Sequence, residues 1–150
     1  MFLLACCVSG PFAAHAQVPS SAWPGRVEAA RSDWSAQTAP DAGWVDVALP
    51  DDWSLRWPGF DGVVWYRLTW NQSARLDDTA LFIEYLTLAG EIRVNGTLLE
   101  RDASLAEPLS RMWNVPRYLR MPPPLLRAGE NTLLVRVSGL SQYRPGLGPV

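Results

Sequence analysis

The sequence predicts an all-β domain in which two antiparallel sheets pack face to face, and three stretches carry that expectation. Gly62 to Trp70 alternates, with Tyr66, Leu68 and Trp70 on one side and Trp65, Arg67 and Thr69 on the other. Glu91 to Glu100 brings in Ile92 and Val94 between polar residues and turns on Asn95-Gly96, which supplies the positive φ angles of a type I′ hairpin. Asn131 to Val137 follows the turn signal Ala128-Gly129-Glu130. Three such ribbons cannot bury their apolar faces alone, so a sandwich is the economical solution.

At 150 residues the chain has one domain's length, enough to bury a core. Its 13 basic residues are all arginine and oppose 15 acidic ones, for a net charge of −2. That balance attracts neither nucleic acid nor anionic lipid, and no nucleic-acid partner is expected. The lack of lysine beside abundant Ala, Arg, Pro and Trp reads as codon bias rather than a functional device.

Met1 to Ala16 is apolar through Phe12 and ends Ala14-His15-Ala16, with small residues where a signal peptidase reads. Residues 1–16 are therefore expected to be a secretory signal peptide, and the domain to be periplasmic or otherwise extracytoplasmic. Leu3-Leu4-Ala5-Cys6 resembles a lipoprotein cleavage box, but five preceding residues are too few for a signal. Cleavage after Ala16 has a chemical consequence, because Cys6, Cys7 and His15 are the only cysteines and histidine. The mature domain then has no disulfide, thiolate nucleophile, histidine metal site, Ser-His-Asp triad or Schiff-base lysine. Any catalysis has to run on carboxylates, tyrosine or arginine.

Residues 17–43, rich in Ala, Ser and Pro, are expected to form an N-terminal arm against the sandwich, with a loose amphipathic turn from Val27 to Trp34. The sandwich occupies 44–150. Its first strand is Trp44 to Leu49, stopped by Pro50, and a turn-rich aromatic loop runs from Pro50 to Gly62. The strand from Gly62 comes next, followed by Asn71 to Thr79 as a polar connection and Ala80 to Tyr85 with Leu81, Ile83 and Tyr85 on one face. After the Asn95-Gly96 hairpin, Arg101 to Pro116 is a long connection of the kind that is more often functional than idle. Arg117 to Met121 is expected to be a strand, and Leu125-Leu126-Arg127 a single turn after three prolines. Asn131 to Val137 is the last strand, and Gly139 to Val150 a Gly- and Pro-rich tail.

Leu49-Pro50-Asp51-Asp52-Trp53, Gly62 through Trp65-Tyr66-Arg67, Val94-Asn95-Gly96, Leu126 through Asn131 and Leu134-Val135-Arg136-Val137 recur in one order. Over Trp44 to Val137 this order resembles the sugar-binding jelly-roll domain of the β-galactosidase and β-glucuronidase family. The resemblance implies a galactose-binding-like jelly-roll β-sandwich. In those enzymes the acid and nucleophile lie on a separate barrel, so it implies no catalytic residue here. A second run, Leu109-Ser110-Arg111-x-Trp113-Asn114-x-Pro116 with the closing Gly146 to Val150, is similar to the N-terminal extracytoplasmic domain of bacterial membrane receptors. That likeness implies membrane and signalling domains beyond Val150, ending in a histidine kinase or diguanylate cyclase of a signal-transduction or two-component system. The segment itself is expected to be no enzyme and to need no cofactor.

Candidate ligand residues follow from chemistry. Arg111, Trp113 and Asn114 combine a fork of donors, a ring face and an amide, the set that binds sugars or carboxylates. The plainer alternative is a loop pinned across the sandwich with Trp113 as a core plug. Trp57 with Phe60 offers a stacking platform or, equally, a packing corner, and Tyr143 and Arg144 could close the same edge. Asp51-Asp52 and Asp77-Asp78 are adjacent pairs, unable to face each other across a glycoside, and read as caps or turns. Asp51 and Asp61 lack the spacing of a Ca²⁺ loop, so no metal site is expected. The expected partner is a carbohydrate or small polar ligand. The rival readings are an accessory sugar-binding domain of a glycoside hydrolase and a structural interaction domain pairing receptor subunits as a homodimer.

Overall fold

The computed structural model describes residues 25–73, 79–113 and 115–150. The expected signal peptide, Asp77-Asp78 and Asn114 lie outside them. Ten strands are present among the described residues. In chain order they are β1 (Arg26–Ser32), β2 (Val45–Asp46), β3 (Asp51–Asp52), β4 (Gly62–Gln72), β5 (Thr79–Ile83), β6 (Ala89–Val94), β7 (Thr97–Arg101), β8 (Arg117–Met121), β9 (Gly129–Gly139) and β10 (Gly146–Leu147). One short helix, α1 (Trp53–Arg56), is capped by the Asp52 side chain, which accepts from Ser54 N–H at 3.0 Å.

The first layer is a six-stranded antiparallel sheet in the order β2-β1-β4-β9-β6-β7. Its middle is β4, paired with β9 from Gly62↔Gly139 to Gln72↔Gly129 and with β1 from Arg26↔Thr69 to Ser32↔Val63. The second layer contains the pairs β3-β10 and β5-β8. They are stitched together beyond β5: Glu84 N–H donates to the Pro149 carbonyl at 2.9 Å, and Gly148 N–H to that of Tyr85 at 2.9 Å. The core lies between the layers. Val64, Tyr66 and Leu68 of β4 and Leu133, Val135 and Val137 of β9 meet Leu81, Ile83, Leu86, Met121 and Leu147. Each such burial contributes about 1.5–3 kcal/mol. The result is an antiparallel β-sandwich, as the patterning predicts, and of the jelly-roll type that the resemblance implies.

Several local expectations change. The turn expected from Val27 to Trp34 is instead strand β1, with Val27 and Ala29 in the core and Ala30 buried on the opposite face. Two-sided burial of small residues erases the period of two and leaves a chance helical spacing. The segment expected as an arm thus includes a strand lying between β2 and β4. Conversely, the strand expected over Trp44–Leu49 shrinks to Val45–Asp46, both exposed at the sheet edge, although Val47 N–H still reaches the Val27 carbonyl at 3.0 Å. The single turn expected at Leu125 to Arg127 starts earlier, as a 3-10 turn over Pro123–Leu125 with proline at its first positions.

The closing segment is no loose tail, since Gly146 and Leu147 are buried. Gly146 packs its backbone so closely that a Cβ would stand 1.7 Å from the Asp51 carbonyl oxygen. The hairpin at Asn95-Gly96 is as expected, with φ of 49° and 86°. Among the described residues no helix is long and apolar enough to cross a membrane.

Candidate functional site

Strand direction collects the aromatic loops at one end of the six-stranded sheet. There β4 begins, β1 ends, β9 ends and β6 begins, as the pairs Ser32↔Val63, Gly62↔Gly139 and Ala89↔Ser138 require. Trp34 follows β1, Trp57 and Phe60 precede β4, Tyr143 follows β9, and Tyr85 and Thr87 precede β6. The long connection after β7 returns to this end, where Met112 N–H donates to the Leu88 carbonyl at 2.8 Å. Leu88 holds φ at 62°, the left-handed region that a leucine adopts at a cost. It anchors a second apolar cluster with Ala89, Leu105 and Leu109, on which Trp34, Trp113, Leu140 and Tyr143 pack.

Two of the residues nominated by the sequence meet here. The Trp113 and Tyr143 rings stand edge to face, 4.8 Å apart between centroids at 72°. Opposite them lie Tyr85, Leu86 and Thr87, which the sequence did not nominate. Together the five line a cavity of about 170 Å³. Burial, followed by the negative charges of Glu84, Asp52 and Asp51, pushes the Tyr85 phenol up, so it is a neutral donor and acceptor at pH 7. The Thr87 hydroxyl accepts from Gly146 N–H at 3.1 Å, which ties the cavity wall to β10. Among the described residues, the hydroxyls of Tyr85 and Tyr143 and the Trp113 indole N–H have no protein partner. An aromatic wall with such uncommitted donors and acceptors suits a small polar ligand with an apolar face.

The other nominated residues are placed differently. Arg111 is exposed, and no described residue pairs with it. Arg144, in the left-handed region at φ 51°, donates to Asp52 at 2.9 Å. Trp57 packs on the main core, edge to face with Phe60 at 6.3 Å. Guanidinium groups lie over its ring, Arg56 at 4.8 Å and Arg31 at 5.2 Å, so the ring already has cationic company. Asp51 pairs with Arg56, and Asp61 accepts from Ser141 N–H at 2.6 Å. Among the described residues no group of three or more His, Cys, Asp or Glu side chains could hold a metal ion.

This geometry defines an all-β sandwich of jelly-roll type with a loop cavity at one sheet end. Comparison with solved structures gives the same class. A glycosyl hydrolase family 2 member from Bacteroides cellulosilyticus DSM 14838 superposes with a TM-score of 0.57 at 22% identity, over 78% of this chain and 17% of that one. A β-glucuronidase from an uncultured Clostridium sp. gives 0.59 at 19% identity, over 78% and 21%. A rhamnosidase from Novosphingobium sp. PP1Y gives 0.51 at 17%, over 93% and 12%. The chain spans about a fifth or less of the length of these proteins, and at such identities the likeness is one of fold. No protein-family model and no curated protein sequence matches the chain.

Proposed function

We propose that this sandwich is a non-catalytic ligand-binding module whose ligand is a carbohydrate or another small polar molecule. It acts, in this reading, as the extracytoplasmic input module of a membrane receptor, exported by the signal at 1–16 and followed by membrane and signalling domains, with pairing into a homodimer as the route to the output. The observation that supports ligand binding is the Trp113–Tyr143 pair facing Tyr85 and Thr87 across a cavity with uncommitted polar groups. The receptor role rests on the Leu-Ser-Arg-x-Trp-Asn-x-Pro run at Leu109 to Pro116. The likeness to partial stretches of glycoside hydrolases favours a second reading, an accessory sugar-binding domain.

Thermal melts with a panel of neutral monosaccharides test the binding role. Trp113→Ala is expected to abolish the melting shift. Arg111→Ala, at an exposed position outside the cavity lining, is expected to leave stability within about 0.5 kcal/mol. A panel without any shift, or a shift that survives Trp113→Ala at full size, overturns the end cavity as the ligand site. Membrane helices encoded past Val150 support the receptor, and a barrel domain there supports the hydrolase.

A further inference from the structure

The outer face of the six-stranded sheet, away from the core, carries a second cavity under the connection that follows β7. It measures about 210 Å³ and is lined by Trp34, Gln37, Glu91, Arg101, Ser104 and Arg136, among others. Glu91 and Arg136 sit opposite each other on β6 and β9, each only 3% exposed. Yet no ion pair joins them. Glu91 is held by Arg93 and by Arg101, the latter at 3.2 Å. Arg136 instead donates to the Ser138 hydroxyl at 2.7 Å and to the carbonyls of Trp34 at 3.2 Å and Leu105 at 3.5 Å.

Charge and donor accounting both leave a surplus here. Three guanidinium groups, Arg93, Arg101 and Arg136, surround the one carboxylate of Glu91. Arg136 is buried and makes no direct ion pair: the Glu91 charge favours its guanidinium from across the strands, but the Glu91 oxygens are engaged by Arg93 and Arg101, and a buried charge is costly unless an opposite charge meets it closely. A guanidinium carries five N–H donors, and three hydrogen bonds leave Arg136 two. Its cross-strand neighbour Trp65, on the same face and 1% exposed, has a buried indole N–H with no acceptor. The rim adds the Ser104 and Gln37 side chains and the Trp34 ring.

We propose that this face cavity is a carboxylate-binding site, in which Arg136 from its floor and Arg101 from its rim hold the acid group of a small organic acid or an acidic sugar. It is distinct from the end cavity, with which it shares no lining residue. The volume equals that of about seven water molecules, enough for a carboxylate on a short carbon chain or for the acidic edge of a sugar ring.

Titration calorimetry and thermal melts of the purified protein with glucuronate, succinate and neutral glucose test it. Glucuronate, succinate or both are expected to bind with a Kd of about 1 mM or tighter, and the one that binds better identifies the source of the acid group. Arg101→Gln, at a half-exposed position, is expected to fold normally and weaken acid binding about tenfold, and Arg136→Gln to abolish it. If Arg136→Gln fails to fold, Arg101→Gln alone decides. Trp113→Ala, which removes a wall of the end cavity, is expected to leave acid binding intact, so the two proposals fail separately. No binding of either acid, equal binding of glucose at this site, or full acid affinity in Arg101→Gln overturns the carboxylate site.

Discussion

The Tyr66 hydroxyl donates a 2.7 Å hydrogen bond to Asp51 Oδ2 inside the core, joining the middle strand of the six-stranded sheet to the first strand of the second layer. Arg56 completes the group, reaching both Asp51 oxygens at 2.6 and 2.8 Å. A buried carboxylate is tolerated because a phenol and a guanidinium both donate to it. Burial and then the Asp51 charge push the Tyr66 phenol well up.

Tyr66→Phe keeps the ring and removes that donor. The expected loss is about 2 kcal/mol, read from urea unfolding at pH 7. Because the folded protein holds Tyr66 neutral, its contribution is complete below the unfolded value of about 10 and declines as pH rises past it. Tyr66→Phe is therefore expected to unfold over a shallower alkaline slope than wild type. Equal slopes would show that Tyr66 ionises as freely in the fold as out of it.

Asp52 predicts the acid limb. Burial pushes its carboxyl up, but hydrogen bonds from the Ser54 side chain, Arg144 and the Ser54 N–H outweigh burial and hold it below the ordinary value. Its contribution is present above about pH 3.9 and is lost as pH falls through the lower folded value. Asp52→Ala is expected to cost about 1 kcal/mol at pH 7, with the gap to wild type closing in strong acid.

Asn131 is fully buried and fully bonded. Its oxygen accepts from Asn95 Nδ2 and Arg127 N–H at 2.8 and 2.9 Å, and its amide donates to the Arg127 and Gly129 carbonyls at 2.8 and 3.1 Å. Asn131→Ala strands several of these groups at once. A loss of about 3 kcal/mol or more is expected, and a change below 1 kcal/mol would mean that water takes over every bond.

Two glycines separate two kinds of cost. Gly96→Ala strains a backbone at φ 86° in open space and is expected to lose about 1 kcal/mol. Gly146→Ala drives a Cβ into the Asp51 carbonyl, so β3 and β10 cannot close. Its expected cost is about 3 kcal/mol or more, with hydrogen exchange accelerating first at Trp53, whose N–H donates to the Pro145 carbonyl.

The sequence by itself determined the strands whose two faces differ. Period-two patterning marks β4, β6 and β9 because one face meets the core, and Asn95-Gly96 marks its turn because few other dipeptides accept positive φ twice. Trp113 was legible as a candidate for its ring face and Tyr143 as a residue that could close an edge, though they lie 30 residues apart in the chain. Tertiary structure alone decided the rest. β1 buries an alanine on each face, Ala29 and Ala30, and so shows no apolar-polar alternation there, while β3 and β10 are two-residue strands that exist only through each other. Tyr85 and Thr87 carry no motif, and they became a cavity wall because β6 begins where β9 ends. Likewise Arg136 and Glu91 are buried only because the connection after β7 folds over them, since burial on the outer face depends on a loop whose path no local pattern encodes.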